Sequence, residues 1–133
     1  VRPIAEEQIS AFLENRPGVI ARLCAALSER RVSIKALTVL DTHDIGTVRM
    51  VVDDIDGAQK ALREAEAAFV LVPVVTVPVS NKPGAFARIA RTFADAGINI
   101  EYVYLTGSAS NEAAIAVFRV DNPQLAMELD FDV

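Results

Sequence analysis

The chain has 133 residues, 52% of them apolar, with a formal net charge of −5, and that apolar share builds a hydrophobic core and excludes a disordered chain. Its 13 Lys and Arg are scattered among 18 Asp and Glu, which excludes the basic stripe that a nucleic-acid backbone or an anionic membrane surface requires. One cysteine, Cys24, forms no internal disulfide, which points to a reducing, cytoplasmic compartment.

No basic-then-apolar segment opens the chain, so no secretion signal is expected, and the missing initiator methionine suggests trimming. Residues Gln8 to Leu13 alternate Ile9, Ala11 and Leu13 with Gln8, Ser10 and Phe12, the period of a half-buried strand. Asn15-Arg16-Pro17-Gly18 breaks that strand, with Pro17 placed near a helix start. From Val19, the residues Ile20, Leu23, Cys24 and Leu27 recur at three and four, predicting a helix with one core-facing side. Arg30 and Arg31 close it at the negative end of its dipole. Val32 to Leu40 and Thr47 to Val52 are predicted strands, paired as a hairpin around the turn formers of Asp41 to Gly46. Asp54 to Asp56 lead into a short helix over Gly57 to Glu66, and Phe69 to Val72 is a fourth strand.

The order then begins again. Val74 to Val79 is a strand, and Asn81 to Gly84 a loop. A helix follows that carries Phe86, Ile89, Ala90 and Phe93 and ends at Ala96-Gly97. Ile98 to Leu105 and Ala113 to Val120 pair around a Gly-Ser-Asn turn, and Asn122-Pro123 opens a last helix. Only about ten residues remain after Pro123, so this helix is shortened, and Phe131-Asp132-Val133 is the beginning of a missing strand. The 13-residue apolar run from Ala67 to Val79 holds Pro73, Thr76 and Pro78; it is too short to span a bilayer and reads as strand.

The two halves are copies. Glu14 to Val39 lies over Ser80 to Leu105 at a constant offset of 66. Asn15, Pro17, Gly18, Ala21, Arg22 and Ile34 fall on identical residues at Asn81, Pro83, Gly84, Ala87, Arg88 and Ile100. The expected class is therefore α+β: two ferredoxin-like βαββαβ units, residues 5–72 and 73–133, packed side by side into one larger sheet. Right-handed crossovers give each unit an antiparallel sheet in order 4-1-3-2 with both helices on one face. The second strand is then an exposed edge that invites pairing.

The loop between first strand and first helix carries the chemistry. Gly18 or Gly84 removes a side chain where free backbone amides gather at the positive end of a helix, a ready site for a small carboxylate. Asn15 and Asn81 offer donors and acceptors for a group with both ammonium and carboxylate. The same four residues also make an ordinary strand-to-helix turn. His43 stands in the first hairpin turn, with no counterpart, and reads as a solvated turn residue. Asp53, Asp54 and Asp56 sit at a strand-to-helix junction where acids cap helices, which outweighs a metal site. Cys24 reads as core. Arg22 and Arg88 anchor an interface or a carboxylate, or are solvated, while the acidic balance weighs against base stacking on Tyr102 and Tyr104.

These residues resemble the ACT domain family, small regulatory modules that bind amino acids. The family's loop of Asn or Asp, any residue, Pro-Gly, with an Ile-Asn-Ile-like start to the second strand, is matched by Asn15-Arg16-Pro17-Gly18 with Val32-Ser33-Ile34. It is matched again by Asn81-Lys82-Pro83-Gly84 with Ile98-Asn99-Ile100. The second copy fits better, because Ser33 replaces the asparagine in the first. The resemblance implies a continuous eight-stranded sheet and an allosteric ligand site at the interface between the first loop of one domain and the second strand of another. It identifies the chain as similar to free-standing tandem ACT proteins: not an enzyme, with no cofactor and no metal, a homodimer whose partner is a free amino acid.

The expected ligand-binding residues are Asn81, Lys82, Pro83, Gly84, Ala85, Phe86, Asn99 and Ile100. In the first copy they are Asn15, Arg16, Pro17, Gly18, Val19, Ile20, Ser33 and Ile34. Replacing Gly84 with valine is expected to block the second site and leave the fold largely intact. An alternative is a regulatory subunit that docks on an amino-acid biosynthetic enzyme such as acetolactate synthase, which requires a large exposed apolar patch. An acylphosphatase-like enzyme shares the topology, and Asn99 and Arg88 resemble its catalytic pair faintly. Its glycine-rich loop is missing, since the loop here holds one glycine.

Overall fold

The structure is a computed structural model that describes residues 1–42, 44–106 and 114–132. The chain divides into two compact units, one of Glu7–Val72 and one of Pro73–Val133 together with Val1–Glu6.

The first unit holds β1 (Ile4–Glu14) from Glu7 onward, α1 (Val19–Glu29), β2 (Ile34–Thr42), β3 (Ile45–Val52), α2 (Ile55–Glu64) and the opening half of β4 (Ala68–Val79). Its strand order, β2-β3-β1-β4, is the expected 4-1-3-2 read from the other edge. The antiparallel register sets Ile9 opposite Met50 and Ala11 opposite Val48, so alternate apolar residues make one continuous face. Leu23 and Leu27 of α1 and Ala58, Ala61 and Leu62 of α2 are buried in a single cluster with Ile9, Ala11, Val48, Met50 and Val52. Both helices therefore cover the same side of the sheet. Cys24 is only partly buried, and Ile20, one turn before it, is 39% exposed, so the face that α1 buries is the narrower one of Leu23 and Leu27.

The period-two reading of β1 implies a wet polar face. Instead Gln8 and Ser10 are buried, and Gln8 Nε2 donates to Ser10 Oγ at 3.0 Å. A buried amide is tolerated where it is hydrogen-bonded. Alternation reports two faces of a strand, not which of them water reaches.

The second unit holds β4 from Pro73, α3 (Ala85–Asp95), β5 (Ile100–Leu105), β6 (Ala114–Val120), α4 (Pro123–Ala126) and the first six residues of the chain. Val75, Val77 and Val79 lie beside Phe118, Ala116 and Ala114, and α3 covers this face with Ala85, Ile89 and Phe93. The Phe93 ring sits 4.9 Å from Phe118 and 5.0 Å from Phe131, centroid to centroid. Such tilted pairs add to the area they bury.

Eight strands were expected and six form among the described residues. Phe69 to Val72 and Val74 to Val79 are one strand, β4, running through Pro73. Proline has an extended-compatible φ and lacks only a donor, and its carbonyl is satisfied by Arg119 Nη1 at 2.9 Å. Among the described residues no strand follows α4, which is four residues long and capped by the Asn122 side chain on the Leu125 amide. Phe131 goes into the core instead, and its backbone N–H donates to the Val1 carbonyl at 2.8 Å. In the strand order β1-β4-β6-β5, the place of the fourth strand of a βαββαβ unit is taken by the start of β1, where Thr76 Oγ1 donates to the Ile4 carbonyl at 3.5 Å. The first six residues thus belong to the second unit, beside β4.

The three longer helices end alike. Val32, Ala67 and Ile98 donate their amides to Leu27, Leu62 and Phe93, while Arg31, Glu66 and Gly97 bond Ser28, Arg63 and Ala94. This is the Schellman ending, with its left-handed residue just past the helix. It moves the second strand of each copy to begin at Ile34 and Ile100, later than the apolar runs suggest. Gly97 takes φ 72, whereas Arg31, the same position in the first copy, takes φ 56 with a side chain. Arg31→Gly is expected to stabilise the first unit by about 1 kcal/mol, since a left-handed non-glycine residue costs about that much. Urea unfolding followed by circular dichroism checks the sign and size.

Candidate functional site

The two Asn-x-Pro-Gly loops adopt one conformation. Gly18 has φ 88, ψ −13 and Gly84 has φ 85, ψ −10, each at the residue before its helix, and no side chain caps either α1 or α3. Arg16 and Lys82 carbonyls accept the Val19 and Ala85 amides at 3.4 and 3.2 Å, and the Gly18 and Gly84 carbonyls take Arg22 and Arg88. Uncapped first-turn amides at the positive helix end, in an exposed loop, are suited to an anion.

In the first unit Asn15 ties this loop to the β2–β3 hairpin. Its Nδ2 donates to Asp41 Oδ1 at 2.9 Å and its backbone N–H to the Asp44 carbonyl at 2.9 Å. Arg16 Nε pairs with Glu14 at 2.5 Å. A small hollow of about 50 Å³ gathers Asn15, Arg16 and Ile20 with Val39 and Asp41. His43 and the turn at 107–113 lie outside the described residues, so the counterpart hairpin of the second loop does too.

Ser33 and Asn99, at the start of β2 and β5, are held by a device the sequence reading did not pick out. Asp53 Oδ1 accepts the Ser33 amide at 2.9 Å and Asp121 Oδ1 accepts the Asn99 amide at 3.0 Å. The Ser33 and Asn99 carbonyls in turn accept from the Asp53 and Asp121 amides, each at 3.1 Å. Directly after, both strands slip register, between Ile34 and Ala36 and between Ile100 and Tyr102. A bulge repeated at Lys35 and Glu101 re-aims side chains beside it. The signal was present as Asp53-Asp54 and Asp121-Asn122, offset by 68 rather than 66. Asp54 and Asn122 then cap α2 and α4. The acids at 53 and 54 are thus engaged by amides, and among the described residues no His, Cys, Asp and Glu cluster could hold a metal ion.

The expected site residues do not all meet inside one unit. Asn15 bonds Asp41 near the end of β2, whereas Ser33 precedes its start; nine residues of strand separate these ends by about 25 Å. In the second unit, Val79 before the loop pairs with Ala114, and Ile100 pairs with Val120, at opposite ends of β6. Loop and strand start therefore lie at opposite ends of each copy.

A duplicated βαββαβ unit with a left-handed glycine between first strand and first helix matches the profile described as an ACT domain pair, over residues 4–131. The chain belongs to the ACT domain family. Among solved structures, a protein from Bacteroides thetaiotaomicron is 32% identical to this ACT pair, with a TM-score of 0.86 over 95% of this chain and 86% of that one. The ligand-free regulatory subunit of aspartate kinase from Thermus thermophilus is 18% identical, with a TM-score of 0.69 over 96% and 93% of the two chains. E. coli aspartokinase III, solved with lysine and aspartate, is 13% identical, with a TM-score of 0.57 over 95% of this chain and 30% of that one. The last two share the fold. No curated protein matches the sequence.

Within this ACT pair the copies are not equivalent. Asn99 offers an exposed amide side chain that makes no hydrogen bond among the described residues, where Ser33 offers a shorter hydroxyl. No helix of the described residues is long and apolar enough to cross a membrane.

Proposed function

We propose that the chain is a non-catalytic regulatory protein of the cytoplasm that senses a free amino acid through its glycine loops. The paired left-handed glycines at 18 and 84 carry this reading. Each leaves uncapped amides for a carboxylate, and Asn81 and Asn99 are suited to an ammonium group and the remaining oxygen. A loop and a strand start at opposite ends of one copy make a complete site when domains of two chains pair, each giving one half. Ile34, Leu37 and Val39 of the edge strand β2 are apolar and exposed, which supports such a homodimer. A ligand shared by two domains shifts their pairing, because it binds one arrangement better than the other.

A thermal-shift screen of the common amino acids tests it. At one hundred times its dissociation constant a ligand adds about 2.7 kcal/mol, and at least one amino acid is expected to raise Tm by several degrees. The regulatory-subunit likeness favours a second reading, in which the exposed β2 strip docks on an amino-acid biosynthetic enzyme. A flat screen together with co-purification of such an enzyme would select it.

A further inference from the structure

The first unit also contains a cleft of about 510 Å³ between the first turns of α1 and the end of α2, a size ordinary for small-molecule sites. Leu13, Val19, Leu23 and Ala67 give it an apolar lining. Four charged side chains line it as well, and of these Arg16 and Glu14 bond each other. Arg22 and Glu66 have no partner among the described residues. Glu66 moreover holds the left-handed position past α2 at φ 56, where glycine or asparagine would sit without strain. A strained residue whose side chain does nothing in the fold marks a place to look for function.

In the second copy the matching arginine has a partner. Arg88, the counterpart of Arg22, has the Asp132 carboxylate 3.8 Å from its Nε. The neighbouring Phe131 is buried against Phe93. The arginine of the second copy thus has an acidic side chain beside it, whereas the Arg22 side chain has no partner among the described residues.

We propose that this cleft binds a small zwitterion with an apolar body, its carboxylate on Arg22 and its ammonium on Glu66. The cleft adjoins the first glycine loop at Arg16 and Val19, but the two charged contacts proposed for it, Arg22 and Glu66, lie outside that loop. The expected test is a titration of the ¹⁵N-labelled full chain with L-leucine and with L-leucyl-L-leucine, read by amide chemical shifts. Saturable shifts at residues 19–23 and 65–68 are expected for at least one of them. N-acetyl-leucine and leucinamide, each lacking one charge, should bind about tenfold or more weakly. Arg22→Gln and Glu66→Gln, both exposed, should each weaken binding about tenfold with an otherwise unchanged spectrum. No saturable shift at these residues at millimolar ligand overturns the assignment. So do equal affinities for the two blocked forms, and so do shifts confined to residues 15–18 or 81–84, which would leave the loop reading standing alone.

Discussion

Replacing Phe93 with alanine is expected to cost the second unit about 3–5 kcal/mol, the range for removing a large ring from a packed core. Phe93 is fully buried and is the ring through which Phe118 of β6 and Phe131 are brought together. Its carbonyl also accepts the Ile98 amide that turns the chain out of α3. A domain of this size holds about 5–15 kcal/mol in total, so the loss takes a large share of its stability. The readout is specific, because both tyrosines, Tyr102 and Tyr104, lie on β5 and the chain has no tryptophan. Tyrosine fluorescence in urea should show a much lower midpoint for the variant. A loss under about 1 kcal/mol, the scale of a surface change, would mean that these rings do not form the core.

Gly84→Val is expected to destabilise the chain by about 2 kcal/mol as well as abolish binding at the second loop. Gly84 takes φ 85, a conformation that costs other residues about 1–2 kcal/mol and β-branched ones more. Space is not the obstacle: an added Cβ meets only Arg88 Nη1, at 3.6 Å. The left-handed φ adds a stability cost to the sequence-based expectation of a largely intact fold, since the residue type alone does not reveal the sign of φ. Gly18→Val provides the control. Its Cβ would meet nothing within 4 Å, yet φ is 88, so the two variants should lose similar stability by urea unfolding. Gly84→Val with full stability would contradict a left-handed loop.

Much of this was legible because the chain repeats. The offset of 66 placed both loops, both first helices and both second strands. The apolar spacing of α1 and α3 put Leu23, Leu27, Ile89 and Phe93 in the core, where the structure has them. What was not legible depends on partners distant in sequence. Pro73 reads as a boundary, but one strand runs through it, since neighbouring strands and Arg119 satisfy what proline leaves open. The first six residues carry no repeat signal, and their place in the second unit depends on strand β4, where Thr76, 72 residues away, meets Ile4. Asp53 and Asp121 were hidden by a two-residue slip in the offset, which a search at one fixed spacing misses. Glu66 resembles any surface glutamate until its φ is known.

Equilibrium dialysis of the whole chain against a mixture of the twenty amino acids at equal concentration, with each quantified on both sides, bears most directly on amino-acid sensing. At least one amino acid should accumulate on the protein side in saturable amount. Asn81→Ala and Asn99→Ala should each lower that accumulation about tenfold or more, as removal of one hydrogen bond to a charged ligand group does. All twenty at equal concentration on both sides of folded wild-type protein would contradict the sensor reading.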